Sequence, residues 1–136
     1  MPQYVNWSEI DGLADTLSSL ILKSSQTFSD ITTISRGGLI PSRLLADRLG
    51  ISTILVDQNT ISSKTLFVDD IYDSGQTFRK VLSRVDEPSK LSFVTLFARR
   101  GKKFPMQLTY AQETENDAYV VFPWDNIEFR NKKNEA

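Results

Sequence analysis

Three carboxylates fall close together in the run Leu66-Phe67-Val68-Asp69-Asp70-Ile71-Tyr72-Asp73-Ser74-Gly75-Gln76-Thr77-Phe78. Leu66, Phe67 and Val68 are β-formers in a continuous apolar stretch, the pattern of a strand buried on both faces of a parallel sheet. Asp69 and Asp70 then stand at the strand's C-terminal end, which in open α/β sheets faces the ligand crevice. Adjacent carboxylates in that place can hold hydroxyls or a magnesium-bound substrate. Behind them comes a tight turn of small residues. Gly75 permits close backbone approach, Ser74 and Thr77 bring hydroxyls, and a helix starting near Thr77 offers free N–H groups and its positive dipole end to a phosphate. One half of such a site is acidic and the other binds anions, so a ligand with both a diol and a phosphate, such as a ribose phosphate, satisfies both.

The plain alternative is an acidic loop that caps a helix. The full pattern, Asp-Asp-x-x-Asp-Ser/Thr-Gly-x-Thr, arises by chance on the order of once per ten million start positions, which weighs against it. A calcium loop of the EF-hand kind needs acids at alternate positions, a glycine at the sixth and a glutamate at the twelfth, and is excluded. The 136 residues contain neither cysteine nor histidine. That removes every serine- or cysteine-histidine nucleophile, every zinc or copper site built on those ligands, and all disulfides. Carboxylates, lysine, arginine, hydroxyls, backbone dipoles and a hard cation remain. With 16 basic and 17 acidic residues there is no broad basic field for nucleic acid.

The elements that position these groups follow from periodicity. Ser8 reads as a helix N-cap answered by Asp11, and Ile10, Leu13, Ala14, Leu17, Leu20 and Ile21 form one apolar stripe from about Ser8 to Lys23. Asp30 to Ser35 reads as a strand that delivers Ser35-Arg36-Gly37-Gly38 to a second helix, which starts around Ile40-Pro41 and stops at Gly50. Ile51 to Val56, Lys64 to Val68 and Leu91 to Ala98 read as further strands. A helix through Phe78, Val81, Leu82 and Val85 separates the last two. Alternating strands and helices predict an α/β fold: an open, mostly parallel twisted sheet flanked by helices, with all three loops of interest leaving strand C-termini. The length fits a single domain, 1–136.

Val68 to Thr77 resembles the phosphoribosyl pyrophosphate signature of the type I phosphoribosyltransferases. Ser35 to Pro41 resembles the pyrophosphate loop of the purine-salvage branch, in particular of its bacterial xanthine-guanine members. The resemblance covers nearly the whole chain, Trp7 to Asp125, and implies a purine phosphoribosyltransferase. Such an enzyme transfers 5-phosphoribose from phosphoribosyl pyrophosphate to a 6-oxopurine (xanthine, guanine or hypoxanthine) and releases pyrophosphate. Asp69, Asp70 and Asp73 are then the catalytic carboxylates. Asp69 and Asp70 position the ribose, Asp70 makes an indirect magnesium contact, and Asp73 sits at the base as proton acceptor or hydrogen-bond partner. Asp73, Ser74, Gly75, Gln76 and Thr77 cradle the 5′-phosphate. Ser35, Arg36 and Gly37 grip the pyrophosphate, with a cis peptide within the Ser35-Arg36 pair. Phe97-Ala98-Arg99 stands where the family has Phe-Ala-Lys, making Arg99 the donor to the base's exocyclic oxygen. Ala118 to Asp125 resembles the family's segment ending in Pro-Trp-Asp and implies a small C-terminal hood, mainly 104–129, with Tyr119 stacking on the base and the Val120 backbone reading its edge.

The sequence departs from the family at Asp57 to Lys64, where the purine branch carries a longer flexible segment that closes over the substrate. A short connection there predicts low turnover. Residues 130–136 are expected to fray. Magnesium is the expected cofactor, a homodimer or homotetramer the expected assembly, and the cytoplasm the expected location, with no nucleic-acid or membrane partner. Two alternatives stand beside this reading: a weakly catalytic regulator of the same fold that senses phosphoribosyl pyrophosphate or nucleotides, and a phosphoryl-accepting receiver domain, which leaves Ser35 to Gly38 unexplained.

Overall fold

The computed structural model describes residues 1–125. Among them the chain runs β1 (Gln3–Tyr4), α1 (Trp7–Lys23), β2 (Ile31–Thr33), α2 (Leu39–Leu49), β3 (Ile54–Val56), β4 (Leu66–Tyr72), α3 (Gln76–Leu82), β5 (Ser92–Ala98), β6 (Leu108–Glu113) and β7 (Val120–Val121). Short 3₁₀ turns cover Arg36–Gly38, Pro88–Lys90 and Pro123–Asp125. The expected fray at 130–136 and the last part of the expected hood, 126–129, lie outside the described residues.

Five strands form one sheet in the order β3-β2-β4-β5-β6, and every neighbouring pair is parallel. This is the expected α/β architecture. From β2 the chain steps outward to β3, then returns to place β4 on the other side of β2. The direction of winding therefore reverses between β2 and β4, and crevices in doubly wound sheets open at such a reversal.

Alternation along β4 divides the core. Leu66 and Val68 face α1 and α2 in one apolar cluster with Ile10, Leu17 and Leu45. Phe67 faces α3 in a second, with Phe78, Val81 and Phe93. Phe67 and Phe93 stack with centroids 4.9 Å apart, and Phe78 meets Phe93 edge-on at 5.2 Å.

Several boundaries differ from the sequence expectation. Helix α1 is capped by Asn6, whose Oδ1 accepts from the Glu9 amide at 2.8 Å while Glu9 answers the Asn6 amide at 3.4 Å. The Ser8–Asp11 box does not form, because extended Asn6 starts the helix earlier and Asp11 instead pairs with Arg48 of α2. Leu20 is 39% exposed, off the buried stripe that Ile10, Leu13, Leu17 and Ile21 form. Gly50 ends α2 at φ +70°, its N–H donating to Ala46 O, as expected. Strand β4 continues through the carboxylates to Tyr72. The described part of the 104–129 region is divided: Leu108–Glu113 is the outer strand of the main sheet beside β5, and Val120–Val121 forms a strand outside that sheet. There β7 pairs in parallel with β1 in a separate two-stranded sheet, Gln3 opposite Val120.

Residues 57–65 join β3 to β4 and are fastened down. Ile61 makes a β-bridge with Val85, its N–H donating to Arg84 O at 2.9 Å. The Ser63 amide donates to Asp86 at 2.8 Å, and Arg84 reaches Gln58 O at 3.1 Å. This connection is a strap tied to residues 84–86, just past the C-terminal end of α3.

Candidate functional site

A cleft of about 320 Å³ opens at the winding reversal. Its walls include Ser35 and Gly37 from the loop after β2, Asp69 to Tyr72 of β4, the turn Asp73 to Thr77, Phe78 and Phe93 below, and Tyr119 and Asp125 from the C-terminal segment. Of the residues singled out in the sequence, the fold brings Ser35, Gly37, Asp69, Asp70, Asp73, Ser74, Gly75, Gln76, Thr77 and Tyr119 onto this one cleft. Arg36, Arg99 and Val120 are not on its wall. Arg36 is solvent-exposed, and Val120 is buried in the short ladder with β1.

Asp69 is 5% exposed. One oxygen accepts from the Ser35 hydroxyl at 3.1 Å and from the Asp70 amide at 2.9 Å. Burial raises its pKa, and those two hydrogen bonds offset part of the shift. Asp70 is half-buried, and its oxygen accepts from the Ile71 amide at 2.8 Å. Its carboxyl is pushed well above the usual carboxylate range, first by burial, then by the neighbouring Asp69 and more weakly by Asp125. Asp125 is thus a third acid bearing on the site. Sequence reasoning gave it no role, although it closes the Pro-Trp-Asp segment.

The glycines of the first loop are required for space. A Cβ on Gly37 would overlap Asp70, and one on Gly38 would overlap Thr33 and stand 2.8 Å from Val68 O. The loop lies directly on β2 and β4, beside the acid pair. The Ser35–Arg36 peptide is trans, and no cis bond occurs among the described residues. This corrects the cis expectation. The trans form is favoured by about 3 to 4 kcal/mol, and the loop's own bonds, Ser35 to Asp69 and the Gly38 amide to Ser35 O at 3.3 Å, are made with it.

In the second loop Gly75 adopts φ +85°, which a side chain disfavours, and a Cβ there would press on the Tyr72 hydroxyl at 2.7 Å. Ser74 Oγ accepts from the Gln76 amide at 3.3 Å. Asp73 has a half-exposed side chain and is held by Arg99 through Nε to Oδ1 at 3.0 Å and Nη2 to Oδ2 at 3.2 Å. Arg99 is itself 7% exposed, and its Nη1 donates to Asn116 O and Ala118 O, both at 2.9 Å.

Tyr119 is 41% exposed and borders the cleft, where a tyrosine ring can cover a flat ligand. In the same C-terminal segment Trp124 stacks on Phe122 at 4.9 Å and 7° and tilts against Trp7 at 5.8 Å. Among the described residues no group of three or more carboxylates lies close enough to hold a metal alone. Two crowded carboxyls with raised pKa values still suit a hard cation whose remaining ligands are water and substrate oxygens, the way magnesium is commonly bound.

The chain is 30% identical over 141 residues to the xanthine-guanine phosphoribosyltransferase of Chromohalobacter salexigens, covering 89% of this chain and 82% of that relative. The chain belongs to the xanthine-guanine phosphoribosyltransferase family. The protein of that name from Nitratidesulfovibrio vulgaris strain DP4 is 29% identical, with 90% and 83% covered. The Helicobacter pylori xanthine-guanine-hypoxanthine phosphoribosyltransferase structure superposes with a TM-score of 0.75 at 16% identity, over 98% of this chain and 99% of that one, which establishes the phosphoribosyltransferase fold. No protein-family model matches the chain. As a phosphoribosyltransferase of this family the protein is a glycosyltransferase, and its acid pair stands within β4 while its small-residue turn forms the β4–α3 connection.

Proposed function

We propose that the protein transfers 5-phosphoribose from phosphoribosyl pyrophosphate to xanthine, guanine or hypoxanthine. In this reaction the sugar C1–oxygen bond to pyrophosphate breaks, a bond from C1 to a ring nitrogen forms, and the nitrogen's proton passes to base or solvent. The observation that carries this reading is one cleft that joins the Asp69–Asp70 pair to the Ser74–Thr77 turn, in a chain whose relatives are named for this transfer. Those names are of enzymes and lend no support to a sensing regulator.

Positive charge develops on the sugar as the leaving group departs, so residues that fix geometry and charge are the useful ones. Asp69 and Asp70 would hold the ribose hydroxyls. The amides and hydroxyls of Ser74 to Thr77 would hold the 5′-phosphate. Ser35, Gly37 and, from its exposed position, Arg36 would meet the pyrophosphate. Asp73 would receive or orient the ring proton. Tyr119 would cover the base, with the Val120 segment behind it. Magnesium, when bound beside Asp70, supplies counter-charge to the pyrophosphate.

The 57–65 strap contributes nothing to the cleft wall and is bonded to residues 84–86 just beyond α3, which supports low turnover because no segment there closes over the sugar. A homodimer or homotetramer would shield the open side, and Leu39 and Val56, both exposed, are available for it. The cytoplasm is the proposed place of the reaction. Among the described residues no helix is long and apolar enough to cross a membrane.

Steady-state transfer with magnesium and a panel of bases tests the proposal beside calorimetric titration of phosphoribosyl pyrophosphate. Transfer to oxopurines with ordinary ligand affinity is expected. Faster turnover on adenine or uracil than on all three oxopurines would overturn the substrate class, and turnover equal to that of long-loop relatives would overturn the argument from the strap.

A further inference from the structure

Arginine carries five N–H donors in a rigid plane, and four of those on Arg99 are already committed to protein. Nε and Nη2 grip both oxygens of Asp73 side-on, and both hydrogens of Nη1 go to the carbonyls of Asn116 and Ala118. Only one Nη2 hydrogen is left, on a residue that is nearly fully buried and absent from the cleft wall. The Arg99 amide donates to Tyr72 O at 2.8 Å, so the residue is also tied to the end of β4. Around it, Thr114 Oγ1 donates to Asn116 O at 3.1 Å and Asn116 Oδ1 accepts from the Ala118 amide at 2.7 Å. Tyr119 follows directly.

We infer that Arg99 is a positioning residue: it aims Asp73 and anchors the segment that carries Tyr119, rather than reading the edge of the base. The inference rests on the transferase reading and deepens it. A carboxylate gripped on both oxygens by a planar fork has a fixed plane, while its second lone pairs stay available to the cleft, where Asp73 is half-exposed. The other side of the same guanidinium fixes the backbone just before Tyr119. The group that orients the proton acceptor and the group that seats the ring are thereby held in one register. A lysine ammonium is a point donor and cannot span a carboxylate and two carbonyls in one plane. The arginine therefore changes the role of this position, not only its size.

The test uses Arg99→Met, which keeps the stem and removes the fork, and Arg99→Lys, which restores charge and partial bonding. Initial rates at saturating phosphoribosyl pyrophosphate are measured for guanine, hypoxanthine and adenine. In Arg99→Met, kcat falls about 100-fold from misplacement of Asp73. The ratio of hypoxanthine to adenine kcat/KM stays within about threefold of the wild-type value, since no contact to the base oxygen is lost. Arg99→Lys recovers part of kcat, and Asp73→Asn added to Arg99→Met costs far less than the product of the two single effects. A preserved kcat with a hypoxanthine-to-adenine ratio collapsing toward one would overturn the inference, because Arg99 would then be reading the oxygen. So would additive effects of the Asp73 and Arg99 changes. If Arg99→Met does not fold, Arg99→Lys gives the same comparison of kcat and ratio. A wild-type protein that transfers to no purine overturns the transferase reading alone. The anchor is then read by hydrogen exchange, with faster exchange at 116–119 in the variant and an unchanged main sheet expected, and unchanged exchange at 116–119 counting against it.

Discussion

The two ends of the cleft are built on opposite principles. At the end proposed to hold ribose and phosphate, Asp69 to Thr77 are contiguous, run straight out of a central strand, and are packed so closely that Gly37 and Gly38 have no room for a side chain. At the end proposed to hold the base, Asp73, Arg99, Tyr119 and Asp125 come from three separate stretches of chain, linked by one guanidinium and a two-residue strand pair. The first end is rigid because the sheet is rigid. The second is anchored where Val120 and Phe122 join the main core, but residues 115–119 just before them are largely exposed, the kind of region that opens locally before a core does. A change at the first end should therefore abolish ligand binding, whereas one at the second should degrade alignment and leave the sugar phosphate bound.

The largest effect is expected from Asp69→Asn with Asp70→Asn. Removing both carboxylates proposed to hold the ribose should weaken phosphoribosyl pyrophosphate binding by about a hundredfold or more. Normal affinity by calorimetry would detach the acid pair from the ligand and erase the contrast. Next comes Gly37→Ala. Its methyl group overlaps the Asp70 carboxylate, and overpacking of this kind, at about 1 to 3 kcal/mol, should appear as roughly a thirtyfold loss in kcat/KM with cooperative unfolding retained. A smaller effect is expected at the other end. Gln3→Pro removes the amide that donates to Tyr119 O at 2.8 Å. The KM for the base should rise about tenfold, with phosphoribosyl pyrophosphate affinity unchanged by titration. Equal losses for both ligands would show that the ends are not independent.

The smallest effect concerns stability. Asp69 and Asp70 ionise at higher pH in the folded protein than in the unfolded chain. The stability this confers is complete below about pH 4 and is lost as pH rises through their folded values. Asp70→Asn should therefore unfold at higher denaturant than the wild type at pH 7 in the presence of EDTA, by about 1 kcal/mol. That advantage should shrink as the pH falls toward 4. A variant less stable than wild type at pH 7 would mean that the acid pair is not strained by its burial.

Legibility in the sequence divides along the same line. Leu66 to Thr77 announces a strand, two acids and a turn because all its parts are adjacent and its strand is continuously apolar. Gly50 and the stripe of Ile10, Leu13, Leu17 and Ile21 are local signals for the same reason. The base end has no such signal. A two-residue strand such as Gln3–Tyr4 has no period to detect, and its partner lies at the other end of the chain. Leu108–Glu113 mixes apolar and polar residues because an outer strand needs only partial burial, so nothing in it distinguishes sheet from hood. The commitment of Arg99 to Asp73 and two carbonyls depends on which loops the fold brings together. Asn6 outcompetes Ser8 as cap through its extended backbone, which the residue types alone leave open.

The pairing of β1 with β7 also sets an order of assembly. The Gln3 side chain accepts from the Glu115 amide, 112 positions further along the chain. On a ribosome adding about 5 to 20 residues per second, roughly 6 to 22 seconds pass between the making of the two partners. Through that interval β1 has nothing to pair with, while β2, β3 and β4 can already join. The end proposed for the sugar phosphate is thus expected to form first, and the end proposed for the base only once Val120–Val121 is made and pairs with Gln3–Tyr4.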